Sequence, residues 1–138
     1  MKDSLQPGTT FTRRLTVDRD RTIGFMGEEG RVYSTPNLIR DVEHACRDLI
    51  LEHGDAGEDS VGMEVALKHL APTLPGMDVE ITVTVREVDR RKVAFDVAVK
   101  DELEPISAGS HTRFVVEKTK TIERLKAKAE KWKAAKGR

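Results

Sequence analysis

The sequence predicts an α+β fold: one long helix wrapped by a curved antiparallel sheet of about five strands, with a second helix at the C-terminus. Three observations predict it. Residues 34 to 50, STPNLIRDVEHACRDLI, repeat apolar groups at the three- and four-residue spacing of a helix face. From Ser60 to about Lys118 the apolar period drops to two. The segments of that second stretch are joined by short polar turns, which implies antiparallel pairing and a single sheet laid over a single helix.

The elements follow in order. TTFTRRLTV (9–17) alternates weakly and reads as a first strand. RDRTIGFMGEEGRVY reads as a loop carrying Phe25, Met26 and Tyr33. Helix start signals then converge, with Ser34 and Thr35 able to cap and Pro36 suited to the first turn, where its missing N–H costs nothing. Gly54 offers a left-handed stop, and the polar DAGED follows. SVGMEVALKHLAP reads as a strand closed by the turn LPGM. VEITVTVREV alternates most cleanly: Val79, Ile81, Val83 and Val85 face one way, and Glu80, Thr82, Thr84 and Arg86 the other. KVAFDVAVK repeats the pattern after the turn at Asp89–Arg91, and ISAGSHTRFVVEK is the last long strand. Residues 1–118 thus form one domain. Residues 119–138, TKTIERLKAKAEKWKAAKGR, form a basic helical extension with few apolar positions.

Composition narrows the function. Lys plus Arg and Asp plus Glu each number 24 in 138 residues, so the net charge is zero and nothing in the balance argues for nucleic acid or a membrane surface. Cys46 is the sole cysteine and cannot form an internal disulfide, which suits a reducing compartment and a cytoplasmic protein. MKDSLQPGTT lacks the apolar stretch of a signal peptide, and no run approaches the ~18 apolar residues of a membrane span. There is no GxSxG, P-loop, GxGxxG or CxxC, and the histidines lack metal-ligand spacing, so no metal is expected.

One residue breaks the helix pattern. Glu43 falls within the stripe of Leu38, Ile39, Val42, Ala45, Cys46, Leu49 and Ile50. A carboxylate isolated on a buried face would cost several kcal/mol or remain protonated. Other polar residues stand in similar settings: Thr35 at the helix start about two turns before Glu43, His69 where a strand leaves the sheet, and His111 and Arg113 on one face of the last strand. Each has a structural explanation on its own, as a cap, a satisfied histidine or an anchor for a carboxylate; the combination points to a reaction pocket.

The segments STPNLIRDVEHAC, EDSVGMEVALKHLAPTLPGMDVEITVTVREVDRRKVAFDV and ISAGSHTRFVV resemble the hotdog-fold thioesterases of the fluoroacetyl-CoA thioesterase-like family. The likeness spans most of residues 10 to 118. It implies the hotdog fold and hydrolysis of a small acyl-CoA thioester, with coenzyme A entering as part of the substrate and no separate cofactor. It implies a catalytic set of Thr35, Glu43 and His69, with Gly62 shaping the thioester site and Arg113 ordering the acyl pocket. It also implies a homodimer or larger assembly, with sheets paired edge to edge and active sites at the interface. The loop from Arg21 to Tyr33 is shorter than the lid segment of the fluoroacetyl enzyme, so a general small acyl group is the expected substrate. The alternatives are a hotdog module that binds acyl-CoA or a similar ligand without turnover, and a hotdog dehydratase or hydratase, whose paired acid and histidine within one short segment are absent here.

Overall fold

The computed structural model describes residues 1–137; Arg138, the last residue of the expected extension, lies outside them. β1 (Thr10–Thr16) is followed by a two-strand ribbon of β2 (Thr22–Ile23) and β3 (Val32–Tyr33), then α1 (Thr35–Glu52). Four long strands follow: β4 (Glu58–His69), β5 (Asp78–Asp89), β6 (Lys92–Asp101) and β7 (Pro105–Glu117). The chain closes with α2 (Lys118–Lys136). The long strands and β1 form one antiparallel sheet in the order β1-β5-β6-β7-β4, which curves over α1.

The period-two pattern decides which face is buried. Val79, Ile81, Val83 and Val85 of β5 and Val93, Phe95, Val97 and Val99 of β6 all lie in the core. They pack on Leu38, Val42, Ala45, Cys46, Leu49 and Ile50 of α1. Ile39, at the border of that stripe, is only half-buried. Burying each such side chain contributes about 1.5–3 kcal/mol, enough for the helix to hold without strong intrinsic propensity.

Four expectations are corrected. The link from Leu70 to Met77 is not a hairpin: β4 pairs with β7, and β5 pairs with β1 and β6. The link crosses the end of the helix, where the Tyr33 and Val17 amides donate to the carbonyls of Thr73 and Met77. Alternation marks the face a strand buries, and this crossing is set by the partners its backbone finds. Helix α1 is capped by Ser34, whose side chain accepts from the Asn37 amide, so Thr35 is the first helical residue rather than the cap. Its stop uses the His53 amide bonded back to Ile50 and Leu51; Gly54 is not left-handed, whereas Gly57 is, at φ 83°. The segment expected to be a plain loop contains the β2–β3 ribbon.

Two features of β4 position the site. It is an edge strand with an unpaired outer side, and Val61, Met63 and Val65 are 46%, 55% and 38% exposed. Its register against β7 slips between Gly62 and Glu64, a bulge that re-aims the backbone beneath α1.

Candidate active site

α1 and β4 run in opposite directions, so the start of the helix meets the end of the strand. There the Thr35 hydroxyl lies 2.8 Å from His69 Nδ1. Capping by Ser34 is what leaves the Thr35 side chain available for this bond. The Tyr33 ring stands edge-on to His69, with centroids 6.5 Å apart. Tyr33 is itself fixed, because its hydroxyl donates to the buried Asp41 carboxylate, which also accepts from Arg21 Nε at 2.9 Å. These side chains border an open cleft of about 340 Å³ lined by Ile23, Val32, Tyr33, Thr35, His69 and Pro72. Burial pushes the His69 pKa below its ordinary value, so the imidazole is neutral at pH 7. Its Nε2 is buried and has no hydrogen-bond partner among the described residues.

Glu43 belongs to a second cluster, two turns further along α1. At ~1.5 Å rise per residue it lies roughly 12 Å from Thr35 along the helix axis. Its Oε1 rests on the β4 bulge, 2.9 Å from where a Cβ on Gly62 would be. Arg113 Nη1 and His111 Cε1 border the same point at 3.6 and 3.5 Å. Among the described residues Glu43 has no ion pair and no side-chain hydrogen bond. The structure therefore brings Thr35 to His69, and Glu43 to Gly62 and Arg113, and it separates these two groups within the subunit.

Arg113 and His111 brace the bulge from behind. Arg113 Nε donates to Ser60 Oγ and its Nη2 to the Ser60 carbonyl, both at 2.8 Å. Its Nη1 lies 3.2 Å from His111 Nε2. Because a guanidinium only donates, His111 Nε2 accepts and its proton sits on Nδ1, which donates to the Glu64 carbonyl at 2.8 Å. His111 is thus held neutral, and burial lowers its pKa. The guanidinium is buried too; that burial lowers its pKa, and nearby Glu43 is the largest influence in the other direction. Cys46, beside this cluster, is buried and its thiol is pushed up to about 12, so it is inert as a nucleophile.

Sequence reasoning missed Asp41, which sits on the same helix at 5% exposure and anchors Tyr33 and Arg21. The signal was present: Asp41 neighbours the apolar stripe one position before Val42. Phe25, just beyond β2, is 89% exposed. Among the described residues no three His, Cys, Asp or Glu side chains are grouped to hold a metal, and no helix is long and apolar enough to cross a membrane.

This architecture is that of the hotdog-fold thioesterases. The solved structure of the fluoroacetyl-CoA thioesterase superposes with a TM-score of 0.83 at 26% identity, covering 91% of this chain and 98% of its own. A thioesterase superfamily member from Thermus thermophilus matches at 0.84 and 27%, covering 93% and 96%. In sequence, the fluoroacetyl-CoA thioesterase of Streptantibioticus cattleyicolor is 28% identical over 135 residues, 93% of this chain and 94% of that protein. Residues 17–119 match the model of the family described as fluoroacetyl-CoA-specific thioesterase, and the chain belongs to that family. It is a thioesterase.

Proposed function

We propose that the protein hydrolyses a small acyl-CoA thioester to the free acid and coenzyme A, using Thr35, Glu43 and His69 in pockets at a dimer interface. The observation that carries this reading is the Thr35–His69 pair at the cleft, whose second ring nitrogen has no hydrogen-bond partner among the described residues. Hydrolysis needs a proton acceptor near neutrality, donors for the developing oxyanion, and a group to activate water or attack the carbonyl. A neutral His69 suits the first role. The N-terminal turn of α1, with its positive dipole end and the Thr35 hydroxyl, suits the second. Glu43, unpaired and seated on Gly62 beside Arg113, suits the third. Arg113 orders the acyl pocket through the bulge it braces.

The separation of Glu43 from His69 within a subunit is bridged by dimerisation. The free edge of β4 is apolar at Val61, Met63 and Val65, a surface that a second copy would cover. An antiparallel pairing of β4 with its copy about an axis near Val65 sets Gly62 opposite the partner's His69. Glu43 of one subunit then shares a site with the partner's His69, and each dimer has two sites.

The experiment is thiol release from a panel of short acyl-CoAs, with wild type beside His69→Ala. Turnover in wild type and its loss in the variant is the expected result. Binding of acyl-CoA without thiol release in either protein would make this a ligand-binding hotdog domain.

A further inference from the structure

Two buried side-chain polar atoms lack a hydrogen-bond partner among the described residues: His69 Nε2 and Ser107 Oγ. They are not scattered. His69 on β4 and Ser107 on β7 are directly opposed in the strand register. Opposed residues of an antiparallel pair point to the same face with Cβ atoms about 4.5–5.5 Å apart. His69 reaches Thr35 on α1, so that face is the helix side of the sheet. Ser107 is 2% exposed there. Buried hydroxyls ordinarily find a partner, and two neighbouring orphans that could be joined by one small polar molecule mark a place for it.

From this we infer that Ser107 is a further catalytic residue, holding with His69 Nε2 the water that attacks the thioester. The inference deepens the proposed function and rests on His69 acting as the base. With Thr35 accepting from His69 Nδ1–H, Nε2 presents a lone pair to the water, and Ser107 Oγ fixes the water's orientation. As the water oxygen bonds to the carbonyl carbon, its proton passes to Nε2. When the tetrahedral intermediate collapses the C–S bond breaks, and the imidazolium returns that proton to the leaving thiolate. No other reactant is needed.

The test is steady-state kinetics of Ser107→Ala and Ser107→Thr beside wild type and His69→Ala, with thermal midpoints of all four. Ser107→Ala is expected to lose about 10-fold or more in kcat with KM unchanged. Its thermal midpoint should hold or rise, because the hydroxyl it removes is unpaired in the empty enzyme. Ser107→Thr, which retains the hydroxyl, should recover most of the kcat. Unchanged kcat in Ser107→Ala would overturn the inference, as would a change in KM alone, which would place the hydroxyl on the acyl group. A kcat loss accompanied by a lower midpoint would also overturn it, by making Ser107 a packing residue. Full turnover in His69→Ala would sink the parent reading of the site. Full turnover in Ser107→Ala with His69→Ala inactive would sink this inference alone.

Discussion

Glu43 sits on the one face of α1 where a carboxylate should be costly, yet it is half-buried at the margin of the core, against a glycine and near a guanidinium. A residue kept for packing would tolerate amide replacement. As a reacting group it would not, and Glu43→Gln should lower kcat by about 10²-fold or more while leaving the fold intact, measured by thiol release and thermal melting together. The histidines add a pH signature. Burial holds both His69 and His111 below the ordinary imidazole value, so they stay neutral in the fold while the unfolded chain takes up protons as pH falls through ~6.5. Protons are then bound more by the unfolded state, and stability drops on acidification. The thermal midpoint should be lower at pH 5 than at pH 7, and kcat/KM should fall on an acid limb lying below ~6.5. A midpoint that stays level between those pH values would contradict the neutral assignment. The Glu43 anomaly was legible in the sequence because a charge interrupts an apolar period. Ser107 was not, because a serine in a strand breaks no pattern and its lack of a partner exists only in three dimensions.

At the scale of elements, β4 carries the most information for its length. Its bulge places Gly62 under Glu43, and a methyl there would stand 2.9 Å from Oε1. The contact is with the far end of a flexible side chain, so the helix need not move; the carboxylate must. Gly62→Ala should therefore fold with a thermal midpoint within a few degrees of wild type, yet lose 10-fold or more in kcat. Equal turnover in the two proteins would remove the bulge from the site. Gly109 differs, since a Cβ there would fall 2.0 Å from the Ala66 carbonyl oxygen in the neighbouring strand backbone. β5 and β6 were legible because each buries one face, and the side-chain period records burial directly. Their order was not. Alternation says which way Val79 or Val93 points and nothing about which strand lies alongside, so the crossing from Leu70 to Met77 emerged only from the backbone pairing. The β2–β3 ribbon escaped notice because two residues cannot display a period.

At the scale of the molecule, one copy of the chain holds two clusters that do not meet. The Thr35–His69 pair closes one end of α1, and Glu43 with Gly62 and Arg113 occupies the middle. The exposed apolar edge of β4 runs between them. If that edge joins two subunits, a charge placed on it should dissociate the assembly and abolish turnover at once. Val65→Asp is expected to halve the mass in sedimentation and to lose activity in step. Loss of mass with full activity would confine the site to one chain. α2 stands apart from this geometry: none of its described residues is buried, and Ile122, Leu125 and Trp132 are exposed. Sharing of the site between subunits is tested most directly by complementation. Glu43→Gln and His69→Ala chains, each expected to lose turnover alone, are co-expressed with different tags and isolated as the heterodimer. One of its two sites then combines an intact Glu43 with an intact His69, and turnover should return to about half that of wild type. A heterodimer no more active than its parents would contradict a site built across the interface.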